Sequence, residues 1–136
     1  VLDIACATGY STAVLAQLAG AVIAVEADEE LAQAASEALA ALELGNASII
    51  VGTPAQGYAK EAPYDVIFVN GAMEFIPDAL IGQLAEGGRL VGVLREDRVG
   101  RGIVGRKVAG AFGYHAFMDA HIPVLPGFSR PPAFRF

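Results

Sequence analysis

The sequence predicts a doubly wound α/β domain: a mostly parallel sheet flanked by helices and closed by a C-terminal antiparallel hairpin. Three observations predict it. Short apolar runs alternate with helical patterns as far as Leu94, in the order strand, helix, strand, helix, strand, loop, strand, helix, strand. The fourth strand run, Tyr64-Asp-Val-Ile-Phe-Val-Asn70, is almost continuously apolar, as in a parallel strand buried on both faces. Beyond Arg101 the helical patterns stop, and two strand-like runs are joined by a connection too short for a crossover.

The chain opens on Val1-Leu-Asp-Ile-Ala-Cys-Ala-Thr-Gly-Tyr-Ser-Thr12, an apolar run carrying Asp3 that passes through a small-residue turn at Ala5–Gly9. A helix over Ser11–Ala19 follows at once, with apolar Val14, Leu15 and Leu18 as its core face and Gly20 as its stop. A strand that turns through small residues into a helix leaves backbone N–H groups free where a ligand can approach. The second strand, Ala21–Val25, ends in Glu26, 17 positions after Gly9. An acidic side chain there is placed to accept hydrogen bonds from ribose hydroxyls. The opening stretch therefore reads as a nucleoside-binding βαβ start.

Asp28 is the expected N-cap of the second helix, with Glu29 and Glu30 in the first turn where the helix dipole favours negative charge. Leu31, Ala35, Ala38 and Leu42 are its expected buried stripe, and Gly45-Asn46 its end. Ala47–Val51 is the third strand, followed by a Gly/Pro-punctuated loop, Gly52–Pro63. After the fourth strand, Gly71–Ile76 reads as a second ligand loop. Pro77 starts a helix through Leu84, Glu86-Gly-Gly88 breaks it, and Arg89–Leu94 is the fifth strand. Arg101–Val108 and Gly113–Val124 form the closing hairpin, and the Pro-rich tail, Pro123–Phe136, is expected to lie extended over the surface.

With 136 residues and neither repeat nor linker, the chain is expected to be one domain with one core. Hydrophobic residues make up 54 % of it, yet no run reaches the roughly 18 apolar residues of a membrane span. Opening without Met on a core strand, the chain is expected to be a fragment, with an upstream segment or a second subunit covering some apolar surface. A net charge of −6 without a basic cluster argues against nucleic-acid binding. One cysteine fits a reducing, cytoplasmic compartment. Cys6 reads as a small buried thiol, and His115, Asp119 and His121 read as a polar strand face rather than a metal site.

These segments resemble the class I S-adenosylmethionine-dependent methyltransferases, a Rossmann-like fold of seven strands, and within them the protein-L-isoaspartate O-methyltransferase family. The resemblance covers residues 1–95: Asp3 to Thr12, Val25-Glu26, Ala62-Pro-Tyr-Asp-Val-Ile67, Asn70 to Pro77 and Leu84-Ala-Glu-Gly-Gly-Arg-Leu90. It implies S-adenosyl-L-methionine as cofactor, over the carboxyl ends of strands one, two and four. Asp3 and the turn Ala5, Cys6, Ala7, Thr8 and Gly9, with Tyr10 and Ser11 beyond it, would hold the methionine end. Glu26 would bind the ribose, Thr53 and Pro54 would border the adenine, and Asn70 and Gly71 would line the methyl-delivery cleft. The implied reaction is methyl transfer to a carboxylate of an isoaspartyl residue in a protein or peptide substrate. It implies no metal, and no catalytic residue is assigned.

Three departures from the family pattern stand out. Ala5 and Ala7 replace glycines, and Thr53 replaces the usual Asp. The family's substrate-gripping segment, which includes a Ser, lies upstream of the first strand and outside this chain. If the turn needs positive φ, the alanines store about 1–3 kcal/mol of strain. The competing readings are a non-catalytic relative kept as a binding or structural module, and an NAD-binding domain. G-x-G-x-x-G is absent, and the terminal hairpin replaces further βα units, so NAD is the less favoured.

Overall fold

The computed structural model describes residues 1–131. Strands β1 (Leu2–Ile4), β2 (Val22–Glu26), β3 (Ala47–Val51), β4 (Tyr64–Met73), β5 (Leu84–Glu96), β6 (Val99–Val108) and β7 (Ala111–Asp119) form one sheet in the order β3-β2-β1-β4-β5-β6-β7. Strands β1 to β5 are parallel, whereas β5, β6 and β7 run as an antiparallel meander. Helices α1 (Tyr10–Leu18), α2 (Glu29–Ala41) and α3 (Asp78–Gln83) join the parallel strands. Sheet order reverses between β1 and β4, so right-handed crossovers put α1 and α2 on one face and α3 on the other. The core agrees: Leu80 and Leu84 pack with Leu2, Ile4, Ile67 and Leu90, and Ala35 packs with Ala24 and Cys6.

Both long helices turn a different face inward from the one their apolar spacing predicts. On α1 the buried residues are Thr12 and Ala16, while Val14 and Leu18 are 42 % and 80 % exposed. The reason is polar: the Thr12 hydroxyl must reach Asp3 beneath the helix. On α2 Ala35 is buried as expected, but with Ala32 and Leu39 in place of Ala38, Leu31 and Leu42. Leu31 and Leu42 sit at the helix ends, and the alanine face lets the helix come down closely on the first turn. A side chain at Gly9 would lie 3.0 Å from Ala35 Cβ, and its φ of +92° also requires glycine.

Asp28 caps α2 as expected, its carboxylate accepting the N–H groups of Glu30 and Leu31 at 2.9 and 3.1 Å. Gly20 does not stop α1 in a left-handed turn; Ala19 is extended, and the Asn46 amide donates to the carbonyls of Ala16 and Ala19. Strand β5 begins at Leu84, but Glu86-Gly-Gly88 breaks its ladder as expected: pairing with β4 jumps from Leu84 to Arg89 across a bulge with Gly87 at a φ of +78°. The closing unit is larger than one hairpin, because β5 and β6 are joined tightly at Asp97-Arg98, both at positive φ. The last strand stops at Asp119 rather than Val124, and a bulge at Phe117 shifts its register against β6. That shift pairs Asp119 with Arg101 and His115 with Val104, so His115 and Asp119 no longer share a face.

Strand β4 carries on through Gly71–Met73 where a ligand loop was expected. Beyond β7 the chain returns over the carboxyl edge of the sheet. Ala72 N–H donates to the Pro123 carbonyl and Leu125 N–H donates to the Ala72 carbonyl, so Val124 lies beside Ala72 where β1 has ended. Phe128 then inserts fully into the main core. The Pro-rich tail is thus a packed strap as far as it is described; residues 132–136 lie outside the described residues. Phe128→Ala is expected to lower the unfolding free energy by about 3–5 kcal/mol, read from urea titration; a loss below about 1 kcal/mol would show a loosely held strap.

Candidate functional site

Asp3 is the middle residue of β1 and is fully buried on the α1 side. The hydroxyls of Ser11 and Thr12 donate to its Oδ2 at 2.8 and 2.7 Å, while Oδ1 has no partner. Burial raises this carboxyl above its ordinary 3.8, against the opposing hydrogen bonds from Thr12 and Ser11. A buried acceptor left open at a strand end is costly unless something completes it.

The chain then makes the turn into α1. Ala5 and Ala7 both adopt left-handed φ, +63° and +49°, and Gly9 follows at +92°. The left-handed region costs an alanine about 1–2 kcal/mol, so the turn holds its course against its own sequence. Its brace is Glu26, 8 % exposed at the end of β2: Ala7 N–H donates to Oε1 at 2.8 Å and Asp28 N–H to Oε2 at 2.9 Å. Each carboxylate oxygen can accept a second hydrogen bond, so the clasp leaves Glu26 able to receive hydroxyl donors. Helix α1 starts at Gly9 with no side-chain cap, leaving its first N–H groups open to an acceptor. Cys6, buried beneath the turn, has its thiol pushed up to about 11 by burial and by the charges of Asp3 and Glu26. It is a packing residue and not a nucleophile.

From β4, the Asn70 amide donates to the Ala5 carbonyl at 3.3 Å and to Ser11 Oγ at 3.5 Å, tying the strand to the turn. Asp3, the Ala5–Ser11 turn with exposed Thr8 and Tyr10, Glu26 and Asn70 thus meet at the carboxyl ends of β1, β2 and β4. Thr53 is exposed and heads the 3-10 turn Pro54–Gln56; it sits one residue past Gly52, whose N–H donates to the Glu26 carbonyl. Gly71 lies against the strap. A side chain there would overlap Leu125 of the strap, so the glycine serves the close approach of Leu125.

Two contributors escape the motif reading. Leu125 and the strap close the carboxyl edge beside Gly71, and only their Pro/Gly context marks them in the sequence. Gln83, buried at the end of α3, accepts from Tyr58 N–H and donates to the Gln56 carbonyl, fixing the loop that follows Pro54 from behind. A polar residue at a helix end gives no sequence signal of that bond.

Two outcomes follow from this geometry. Because the folded chain takes up a proton at Asp3 more readily than the unfolded chain, the cost of the buried charge is present at neutral pH. It is relieved as pH falls through the raised folded value toward 3.8. The urea-derived stability of the native chain relative to Asp3→Asn is therefore expected to rise between pH 7 and 4; a constant difference would refute the buried-charge account. Replacing Ala5 and Ala7 together by glycine is expected to add about 1–2 kcal/mol of stability. No gain would mean that the turn is unstrained.

The protein-L-isoaspartate(D-aspartate) O-methyltransferase family profile matches residues 1–103. A protein-L-isoaspartate O-methyltransferase of Methanoculleus marisnigri is 46 % identical over 91 residues, covering 67 % of this chain and 41 % of that protein. One of Halorhodospira halophila is 36 % identical over 136 residues, covering 93 % of this chain and 58 % of its own length. A solved protein-L-isoaspartate O-methyltransferase structure superposes with a TM-score of 0.86 at 25 % identity, over 93 % of this chain and 41 % of that one. The chain thus spans less than two thirds of each of these relatives. Matched through both its cofactor-type turn and its terminal meander, this chain belongs to the protein-L-isoaspartate(D-aspartate) O-methyltransferase family.

Proposed function

We propose that the chain is the S-adenosyl-L-methionine-binding domain of a methyltransferase that acts on the carboxylate of isoaspartyl residues in proteins or peptides. The observation that carries this reading is the meeting of complementary groups at the β1/β4 reversal. The orphaned Asp3 Oδ1 is an acceptor, the uncapped α1 start a set of donors, and Glu26 a braced carboxylate. They suit the ammonium and carboxylate of an amino acid and the hydroxyls of a ribose. Asp3 and the turn from Ala5 to Ser11 hold the methionine end, Glu26 the ribose, and Thr53 with Pro54 flanks the adenine. Asn70 fixes the turn at the point where the methyl group is delivered, and Gly71 admits the wall made by Leu125.

When bound, the cofactor supplies an electrophilic methyl on a sulfonium. Transfer of that methyl to an acceptor carboxylate oxygen would be a direct displacement, the sulfur leaving with the bonding electron pair. The chain therefore needs alignment and exclusion of water more than a strong base. The turn, the Asn70 tie and the strap are the parts that provide them. The non-catalytic reading rests on Ala5 and Ala7, and both keep the turn's left-handed course with Glu26 as brace.

The described residues also support a wider assembly. Tyr10, Val14 and Leu18 form one exposed face of α1, spaced by four residues. On the same side of the sheet, Phe68, Val91 and Val104 lie in register with Asp3 and are only half-buried. We take this surface to be covered by an upstream segment or a second subunit, with the 136 residues forming a single domain. No helix among the described residues is long and apolar enough to cross a membrane. The lone buried cysteine supports a reducing compartment such as the cytoplasm. Calorimetric titration with S-adenosylhomocysteine is expected to give micromolar binding, weakened at least severalfold by Glu26→Ala. No binding by the native protein would overturn the enzyme reading, and unchanged affinity in the variant would misplace the ribose.

A further inference from the structure

Strand alternation divides the charges at the tip of the β5–β6 hairpin. Glu96 turns to one side, where it accepts the Tyr114 hydroxyl at 2.7 Å, and with Asp97 it lines a hollow on that side. Arg95, in register with Gly100, faces the other way. Neither Arg95 nor Arg98 has an ion-pair partner among the described residues. Together with His121 they line a cleft of about 360 Å³ over Gly100, Ala120 and Pro123. Its floor is fixed: Ala120 N–H donates to the Gly100 carbonyl at 2.9 Å, and a side chain at Gly100 would overlap the Ala120 carbonyl.

The cleft stands at the carboxyl edge of the sheet, the edge to which Asp3, Glu26 and Asn70 belong. Pro123, one of its walls, is bonded to Ala72 of β4. Asn70 lies near the level of Gly92, so Arg95 and Gly100 sit about three residues further along the sheet and one and two strands across, about 11 and 14 Å away, the span of three or four residues of extended peptide. Its sign also runs against that of the chain as a whole, which carries a net −6 with Asp28, Glu29, Glu30 and Glu37 at and along α2. Two guanidiniums with open forks form the donor geometry that binds a carboxylate through paired hydrogen bonds.

We propose that the Arg95–Arg98–His121 cleft is a subsite for an acidic side chain of the peptide substrate, three or four residues from the methyl-accepting carboxylate. The proposal rests on the function given above and adds a preference for acidic flanking sequence. Because both arginines are exposed, their contribution is screened by salt.

The test uses fluorescent isoaspartyl peptides that differ only at the third residue on either side, carrying Glu, Gln or Lys. Their binding to the protein saturated with S-adenosylhomocysteine is measured by anisotropy at low and high ionic strength. Expected is a Kd for the Glu peptide roughly fivefold below that for Gln, a weaker Kd for Lys, and compression of the series in 0.5 M salt. Arg95→Gln with Arg98→Gln should abolish the difference, whereas Arg89→Gln with Arg106→Gln, an equal charge change at the far end of the same strands, should keep it. Equal Kd values in the native protein, or a preference surviving in the double variant, overturn the subsite. Methyl transfer to the same peptides is scored separately. An arginine-dependent preference without any methylation would sustain the subsite while overturning the acceptor assignment.

Discussion

The Glu26 clasp is the interaction on which the rest of this structure depends. One carboxylate joins three elements: it ends β2, receives Ala7 N–H from the first turn, and receives Asp28 N–H at the entrance to α2. Two left-handed alanines oppose that conformation with their methyl groups, and the clasp at Ala7 adds to the backbone bonds from Ala5 and Cys6 to the Val25 carbonyl that hold the turn in place. With it, α1 starts at a fixed place, Ser11 and Thr12 reach Asp3, and Asn70 finds the Ala5 carbonyl. A side chain that a sequence reader assigns to a ligand is first of all a structural acceptor, and the two uses are compatible because a carboxylate has lone pairs for both.

Much of the architecture was legible because its causes are local. Asp28 followed by two glutamates is a helix start wherever it occurs, and the apolar run after Tyr64 has one common home, the middle of a parallel sheet. The turn was legible as well, since Asp3, Gly9 and Glu26 stand at spacings that a βαβ unit imposes. What stayed hidden depends on distant partners. Glu86-Gly-Gly88 has the composition of a break and does interrupt the ladder, but as a bulge inside β5 that only its β4 partner defines, so tight that a side chain at Gly88 would press within 2.8 Å of the Ala85 carbonyl. Leucine spacing named the wrong face of both long helices, because Thr12 answers to Asp3 and the alanines of α2 answer to Gly9. The prolines around the strap predict a surface segment, while Phe128, with no periodic neighbours to advertise it, is buried completely.

The site divides in the same way. Asp3, Glu26, Asn70 and the turn lie together at the carboxyl ends of β1, β2 and β4, whereas Gly71 packs against a wall made by Leu125. The wall comes from residues more than fifty positions later, so no window of sequence around Gly71 contains the reason for it. Gln83 behaves alike: its amide binds a loop some 25 residues earlier, and its identity makes sense only after α3 and that loop are seen in contact.

The bulge at Phe117 has a consequence of a different kind. Strand β7 is the outer strand of the sheet, and its long row of exposed side chains includes Tyr114, Phe117 and Met118. A straight strand of that composition would be a template onto which further chains could add in sequence, the first step toward fibrous aggregates. The extra residue interrupts the ladder two thirds of the way along and twists the edge out of the plane that an incoming strand would need. The irregularity in the final strand is thereby a safeguard of colloidal stability, built into backbone geometry and not into charge.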